Sequence, residues 1–182
     1  MRVIAGALGG RRLTAPRGQA TRPTSDRVRE ALFSTLGDLT GAAVLDLYAG
    51  TGALGIEALS RGAARAVFVE SARPALVALR QNLTTLDLLG VARVMALPVG
   101  RALTEITRAG PFDLILVDPP YAEAADALLI VGRLAGAAAP SARVVLEHAS
   151  REGPPTVEQL RVVSTRAYGD TALSFYEVAS AP

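Results

Sequence analysis

The chain reads Asp-Leu-Tyr-Ala-Gly-Thr-Gly-Ala-Leu-Gly from Asp46 to Gly55, directly after a short apolar run. Gly50, Gly52 and Gly55 match the pattern G-x-G-x-x-G, in which a strand turns into a helix and the backbone comes close to a bound nucleotide. A plain strand-to-helix turn uses the same residues, so the loop alone does not decide between the two interpretations. The pattern on either side of the loop decides the fold.

From residue 42 onwards, short apolar runs alternate with segments of helical period. The pattern predicts strands at 43–48, 66–70, 93–97, 113–118 and 143–147, and helices at 54–61, 74–89, 102–108 and 124–135. Such alternation is typical of a parallel sheet covered by helices on both faces. Two last runs, 162–168 and 172–178, are separated by Gly169-Asp170 and predict an antiparallel hairpin. The fold class is therefore α/β, with a Rossmann-like, mainly parallel seven-stranded sheet.

Residues 1–40 precede this alternation and have a different pattern. Residues 3–14 predict two short strands around Gly9-Gly10. A helix is predicted from Asp26 to about Leu36, with Thr24 or Ser25 as its N-cap. The sequence thus predicts an N-terminal extension (1–40) ahead of one α/β domain (41–182).

The basic side chains are all arginine and are unevenly distributed. Residues 1–30 hold seven arginines against two acids, whereas the rest holds twelve against fifteen. A basic arm on a mildly acidic body favours an anionic partner, of which nucleic acid is the usual one. A solvated basic face without a ligand explains the charge alone equally well.

The composition excludes several classes of protein. With no cysteine and with His148 as the only histidine, a disulfide framework, a thiolate zinc site and any site with two histidines are excluded. We expect no metal, and for His148 a packing or surface role. The longest uncharged run, 47–56, is far shorter than the about 20 residues of a membrane span. We expect a cytoplasmic monomer with no membrane partner.

Two acidic residues distinguish between the possible nucleotide cofactors. Asp46 lies at the carboxyl end of the first strand, where it would repel the phosphates of a dinucleotide. S-adenosylmethionine has no phosphate, and its sulfonium and ammonium groups would be attracted. Glu70 ends the second strand, 20 residues after Gly50, and can hold the ribose hydroxyls. We therefore predict S-adenosylmethionine as the cofactor.

The fourth strand ends in Asp118-Pro-Pro-Tyr121. Each proline fixes its own φ and favours extended geometry in the residue before it. The carbonyls of Asp118 and Pro119 are therefore expected to face the ligand crevice as acceptors for an exocyclic amino group. Tyr121 offers a flat surface on which a base can stack, worth about 1–3 kcal/mol in comparable sites.

Together these motifs resemble those of a known family. The glycine stretch, Phe-Val-Glu at 68–70 and Asp-Pro-Pro-Tyr at 118–121 resemble class I amino-methyltransferases. The segment from Arg22 to Phe33, together with Ile4-Ala-Gly and Gly10-Arg-Arg-Leu, is similar to the bacterial ribosomal RNA small-subunit methyltransferase D family. The resemblance to this family covers nearly the whole chain. The resemblance implies the class I S-adenosylmethionine-dependent methyltransferase fold. It also implies methylation of guanine N2 at one site in 16S ribosomal RNA, in the small ribosomal subunit.

The resemblance also implies roles for individual residues. The cofactor would be bound through its methionine part by Asp46, Gly50 and Gly52, and through its ribose by Glu70. The guanine would be held by Asp118, Pro119 and Tyr121. The RNA would be contacted by Arg11, Arg12, Arg22, Thr24 and Arg27.

One position departs from the family pattern. Where the family tends to have Ala-Asp-Ala, this chain has Leu97-Pro-Val99. The side chain that would contact the adenine amino group is missing, so we expect weaker cofactor affinity. The Pro98 carbonyl and the Val99 N–H are expected to read the adenine edge instead.

Other functions fit parts of the pattern. Adenine-N6 methylation of DNA and amide methylation of a protein use a similar motif, although 182 residues leave little room for a DNA-recognition domain. A catalytically silent, cofactor-binding assembly factor of the ribosome would have the same sequence features. A nicotinamide dehydrogenase fits least, because its phosphates would meet Asp46.

Overall fold

The structure, a computed structural model, describes residues 1–16, 25–120 and 123–179. Its strands are β1 (Ala43–Leu47), β2 (Arg65–Val69), β3 (Ala92–Met95), β4 (Phe112–Val117), β5 (Ala138–Ala149), β6 (Leu160–Tyr168) and β7 (Thr171–Val178). Its helices are α1 (Asp26–Leu36), α2 (Ala53–Ser60), α3 (Arg73–Thr85), α4 (Val99–Ala109) and α5 (Ala124–Gly132).

The strands form one sheet in the order β3-β2-β1-β4-β5-β7-β6. Strands β1 to β5 are parallel, and β7 lies antiparallel between β5 and β6. This confirms the predicted α/β fold with its C-terminal hairpin. The strand order reverses at β1, which pairs with β2 on one side and β4 on the other. In open α/β sheets, ligands bind at such a switch point, outside the carboxyl ends of the strands.

Each face of the sheet has its own hydrophobic core. Val44 of β1 packs in the cluster that includes Phe33 of α1 and Leu79 of α3. Its neighbour Leu45 packs in the opposite cluster, which includes Ile106 of α4 and Leu128 of α5. Because side chains alternate along a strand, a continuous apolar run such as β1 can supply both faces.

The observed helices differ from the predicted ones mainly at their ends. Helix α3 ends at Thr85 rather than residue 89, and Asp87 then adopts a left-handed φ of 57°. Helix α4 begins earlier than predicted, at Val99, because Pro98 acts as its N-cap residue. Prolines are well tolerated at a helix start, where the missing N–H would have no partner.

The N-terminal extension packs against α2. Arg2 and Arg12 form one antiparallel bridge, so the predicted hairpin is present with much shorter strands than expected. The buried Glu57 carboxylate accepts the N–H groups of Ile4 at 2.6 Å and Ala5 at 3.1 Å. Residues 1–8 are thereby held on the helix that follows the glycine loop.

Two further predictions concern single residues. Helix α1 begins at Asp26, and Ser25 Oγ accepts the Val28 N–H at 3.2 Å as an N-cap. His148 is 1% exposed, with Nδ1 3.0 Å from the Ala149 carbonyl oxygen and Nε2 2.7 Å from Ser174 Oγ. This is the packing role expected for the histidine. Among the described residues, no helix is both long and apolar enough to cross a membrane.

Candidate active site

A cavity of about 890 Å³ lies at the carboxyl ends of the central strands. Ligand sites typically occupy about 300–1,000 Å³, so there is room for a nucleoside cofactor and more. The residues predicted for the site that line it are Asp46, Gly50, Glu70, Val99, Asp118 and Pro119. Further lining residues, which the sequence did not single out, include Arg29, Tyr48, Glu123 and Glu147.

Asp46 is a buried carboxylate at the switch point. Its Oδ2 accepts the Gly55 N–H at 2.8 Å, whereas Oδ1 has no hydrogen-bond partner among the described residues. Burial raises the pKa of Asp46 to about 8; the Gly55 N–H opposes the rise and the nearby Glu70 carboxylate adds to it. An ionised carboxylate here needs a cation for stabilisation. The sulfonium and ammonium groups predicted from the sequence meet that need.

The three glycines of the loop have different roles. Gly50 has φ of 56° and lines the cavity. Gly52 is not among the lining residues: it precedes α2 with φ of 83°, and a Cβ there would lie 2.4 Å from Leu79 Cδ1. At Gly55 a Cβ would lie 2.3 Å from Phe68 Cε1. The second and third glycines therefore allow α2 to pack closely, and the first lies beside the ligand space.

Glu70 is fixed at the end of β2 by backbone donors. Its Oε2 accepts the Gly50 N–H at 2.8 Å, and its Oε1 accepts the N–H groups of Ser71 and Ala72, each at 2.7 Å. Each carboxylate oxygen has two acceptor sites, so one site on Oε2 is left for a hydroxyl donor. The carboxylate is thus oriented before any ligand binds, in a position that fits a ribose diol.

The segment after β3 matches the prediction only in part. The Pro98 carbonyl accepts the N–H groups of Arg101 at 2.9 Å and Ala102 at 3.2 Å, and so belongs to the first turn of α4. The Val99 N–H lies at the first helical position, where it has no acceptor within the helix. Of the two groups expected at the adenine edge, the Pro98 carbonyl is used within α4, and only the Val99 N–H has no acceptor within the helix.

Asp118 follows the last residue of β4 and lies beside the glycine loop. Leu47 pairs with Val117, and the Asp118 N–H reaches the Leu47 carbonyl at 3.4 Å. Pro119 is buried, and its carbonyl has no hydrogen bond within the described part of the chain. Tyr121, the last residue of the motif, lies outside the described residues.

Tyr48 was missed, although it directly follows β1. Its φ of 58° is unusual for a residue other than glycine, and sequence reasoning has no signal for it. Burial raises the pKa of the Tyr48 hydroxyl, and the Glu123 and Asp126 carboxylates add to that rise. The phenol therefore stays neutral near pH 7 and can donate a hydrogen bond into the cavity that it lines.

Arg29 was missed for a different reason. On α1 it lies three, four and seven residues before the buried Leu32, Phe33 and Leu36. This is the spacing of the buried face of a helix, so the pattern could have placed Arg29 there. An arginine on the buried face of a helix indicates a ligand-binding site more strongly than an arginine on an exposed face does.

The arginines predicted to contact RNA lie away from the cavity lining. Arg11, Arg12 and Arg27 are exposed, and Arg11 Nη2 donates to the Thr85 carbonyl at 3.3 Å. Arg22 and Thr24 lie outside the described residues. The structure therefore brings six of the predicted cofactor and base residues to one cavity, without Gly52 and with Tyr121 outside the described residues, and leaves these three cations on the surface.

Comparisons with known proteins show which family the chain is similar to. The family model described as "Conserved hypothetical protein 95" matches residues 1–177. A Bacillus subtilis protein provisionally named rRNA methyltransferase YlbH is 39% identical over 97% of this chain and 98% of its own length. The Escherichia coli ribosomal RNA small subunit methyltransferase D is 43% identical over 66% of this chain and 60% of its own.

A solved structure is similar over the full length. An Escherichia coli protein provisionally named methyltransferase YhhF superposes with a TM-score of 0.82 at 34% identity, covering 100% of this chain and 99% of its own. The fold and the relatives agree, and the chain belongs to the family of the ribosomal RNA small-subunit methyltransferase D proteins.

Proposed function

We propose that this protein transfers a methyl group from S-adenosylmethionine to the exocyclic N2 of a guanine in 16S ribosomal RNA of the small subunit. The observation that carries the proposal is the shared cavity: Asp46 and Glu70 line one part of it, and Asp118 and Pro119 another. Relatives named as ribosomal RNA methyltransferases support the substrate class.

The donor part of the proposal rests on charge and hydrogen bonding. S-adenosylmethionine supplies an electrophilic methyl group on a positively charged sulfur. The buried Asp46 carboxylate attracts the cationic end, and the fixed Glu70 carboxylate accepts a ribose hydroxyl. Gly50 lets the backbone approach the cofactor, and the Val99 N–H donates to the adenine edge.

The acceptor part rests on the end of β4. The lone pair of a guanine amino group is conjugated with the ring, so the group is a poor nucleophile. Asp118 and the Pro119 carbonyl accept its two N–H groups and orient the nitrogen toward the methyl group, which makes positioning the main catalytic contribution. Asp118 is also suited to accept the released proton. Tyr121 stacks on the base, which must leave its helix or stack to reach the cavity.

The substrate part rests on the N-terminal extension. The exposed Arg11, Arg12 and Arg27 contact RNA phosphates, together with Arg22 and Thr24. Phosphate contacts fix the orientation of the protein and carry no sequence information. The choice of guanine then comes from the shape of the RNA and from the cavity itself.

Methyl transfer to three substrates tests the proposal. Labelled S-adenosylmethionine is offered with small subunits from cells that lack the modification, with free 16S ribosomal RNA and with duplex DNA. We expect label on the RNA of the subunits. Label on DNA would contradict the proposal, and cofactor binding without label on any substrate would favour a silent assembly factor.

Two variants near opposite ends of β4 connect the activity to the site. Asp118→Asn removes the charge at the cavity, and we expect turnover to fall about 100-fold or more, as is typical for loss of a general base, with cofactor affinity nearly unchanged. Asp113→Asn is the matched control at the other end of the same strand, where Asp113 Oδ2 accepts the Ala43 N–H at 2.8 Å. Full turnover in Asp118→Asn would refute the role of this residue.

A further inference from the structure

Arg29 is a buried cation in the lining of the cavity. Its side chain is 0% exposed. Nη2 donates to the Arg2 carbonyl and to Asp26 Oδ1, both at 2.7 Å. Nε and Nη1 have no hydrogen-bond partner among the described residues. A guanidinium has five N–H groups, so three of them lack an acceptor.

The acidic residues near Arg29 do not supply the missing acceptors. Asp26 is half exposed and reaches only Nη2. Glu57 is buried, and its two oxygens already serve other donors: Oε2 accepts the Ile4 N–H, and Oε1 accepts the Ala5 N–H and Arg61 Nε. Burial lowers the pKa of Arg29, while Asp26 and Glu57 oppose that change. A buried charge with unmet donors is costly unless a ligand satisfies it.

The same cavity also contains a buried acceptor that lacks a donor. Asp46 is also fully buried, and its Oδ1 lacks a partner among the described residues. Among the described residues, the cavity lining therefore offers a cation with unmet donors and a carboxyl oxygen without a partner. A ligand with an ammonium and a carboxylate on the same carbon atom offers a partner to each, and an α-amino acid has this arrangement. An RNA phosphate fits less well, because a backbone phosphate stays near the protein surface and offers no cation for Asp46.

We propose that Arg29 binds the α-carboxylate of the methionine part of S-adenosylmethionine, opposite the ammonium group that Asp46 attracts. The inference rests on the proposed cofactor. It gives a partner to the α-carboxylate, the charged group of that cofactor for which the sequence predicted no binding residue. Arg29 is then a specificity-determining residue that distinguishes the intact amino-acid end from adenosyl compounds without a carboxylate.

Calorimetric titration of the full chain with two ligands, without RNA, tests the inference. S-adenosylhomocysteine has the carboxylate, and its decarboxylated analogue S-adenosyl-3-thiopropylamine lacks only that group. Wild-type protein should bind the first roughly 10- to 100-fold more tightly, the range expected for a hydrogen bond to a charged group. Arg29→Met should abolish the difference by weakening only the carboxylated ligand, and Arg29→Lys should restore part of it.

A matched control separates this effect from loosening of α1. Asp26→Asn breaks the ion pair to Arg29 but keeps the guanidinium, so the ratio of the two affinities should remain that of wild type. Equal wild-type affinities, or an unchanged ratio in Arg29→Met, would overturn the inference. If Arg29→Met does not fold, the wild-type ratio and Arg29→Lys still decide.

Failure of the proposed function is distinguishable from failure of this inference. The titrations contain no RNA, so a wrong methylation substrate leaves the ratio intact. Binding of S-adenosylhomocysteine without discrimination would refute the role of Arg29 alone. No binding of either ligand would refute both the cofactor and the inference.

Discussion

At the scale of residues, the site is built from buried ionisable groups whose hydrogen-bond partners are incomplete. Asp46 uses one carboxylate oxygen for the Gly55 N–H, and Arg29 uses one guanidinium nitrogen for two acceptors. Proteins rarely leave such groups unsatisfied without a functional reason. In the unliganded protein these unpartnered buried atoms lower the stability of the folded state, and a ligand that supplies the missing partners reduces that loss.

The cost at Asp46 predicts a pH dependence of stability. The pKa of this carboxyl is about 8 in the folded protein, against 3.8 for an ordinary aspartate. Because the folded state favours the protonated form, this stabilisation is fully present below about pH 4 and is lost as the pH rises through about 8. In Asp46→Asn the side chain cannot ionise, so its free energy of unfolding lacks this decline.

Urea unfolding at pH 5 and pH 8 measures the effect. We expect the variant to gain stability relative to unliganded wild type between the two values. Saturating S-adenosylmethionine should reduce the gain, because a bound cation stabilises the ionised carboxylate. A difference between variant and wild type that does not change with pH would contradict the assignment.

At the scale of elements, α2 connects the site to the N-terminal extension. Its first turn follows the glycine loop, and its far end binds residues 4–8 of the extension. Ser60 Oγ accepts the Leu8 N–H at 2.9 Å, and the Ser60 carbonyl accepts the Ala7 N–H at 2.7 Å. The extension is thus part of the packed structure of the catalytic domain over these residues.

Two glycines of the extension test this packing as a matched pair. Gly6 and Gly10 have nearly the same φ, 81° and 82°. A Cβ at Gly6 would lie 1.9 Å from the Ser60 carbonyl oxygen, whereas a Cβ at Gly10 would have no neighbour within 4 Å. Gly10→Ala should cost about 1–2 kcal/mol for the left-handed conformation alone. Gly6→Ala should cost distinctly more, because the segment must move away from α2.

Urea unfolding and limited proteolysis measure both variants. We expect a larger loss of stability and faster cleavage within the first residues for Gly6→Ala. Equal losses for the two alanines would show that the contact with Ser60 does not hold the extension.

The elements themselves were largely predictable, and their ends less so. The alternation of apolar runs with helical segments determines the parallel strands, because each run is too short for a helix and supplies both faces of the sheet. The end of α3 was not predictable, since Leu86 and Leu88 continue the apolar pattern while Asp87 leaves the helix with a positive φ. The positions of Asp46, Glu70 and Asp118 followed from the rule that parallel strands end at one edge.

At the scale of the whole molecule, the exposed arginines predicted to contact RNA lie away from the cavity lining. The exposed Arg11, Arg12 and Arg27 all lie on the extension, whereas the cavity lies at the carboxyl ends of the strands. Sequence patterns place these arginines in one segment, and helical spacing distinguishes Arg29, on the inner face of α1, from the exposed Arg27. That Arg29 also lines the cavity depends on tertiary packing.

The surface arginines predict a salt dependence of RNA binding. Each phosphate contact contributes about 0.7–0.9 to the slope of log affinity against log salt concentration. Arg12→Ala should therefore lower the slope by about that amount with undermethylated small subunits as the probe. Arg93→Ala is the matched control, since Arg93 is also exposed but pairs with Glu105 on the body of the protein. Equal effects of the two substitutions would refute a specific RNA-binding role for the extension.

The measurement that tests the central claim most directly is the identity of the methylated nucleoside. Small subunits lacking the modification are incubated with the protein and labelled S-adenosylmethionine, and their 16S ribosomal RNA is digested to nucleosides and separated. We expect the label in N2-methylguanosine, and its loss when Asp118→Asn replaces the wild-type protein. Label in N6-methyladenosine, or in a ribosomal protein, would contradict the account.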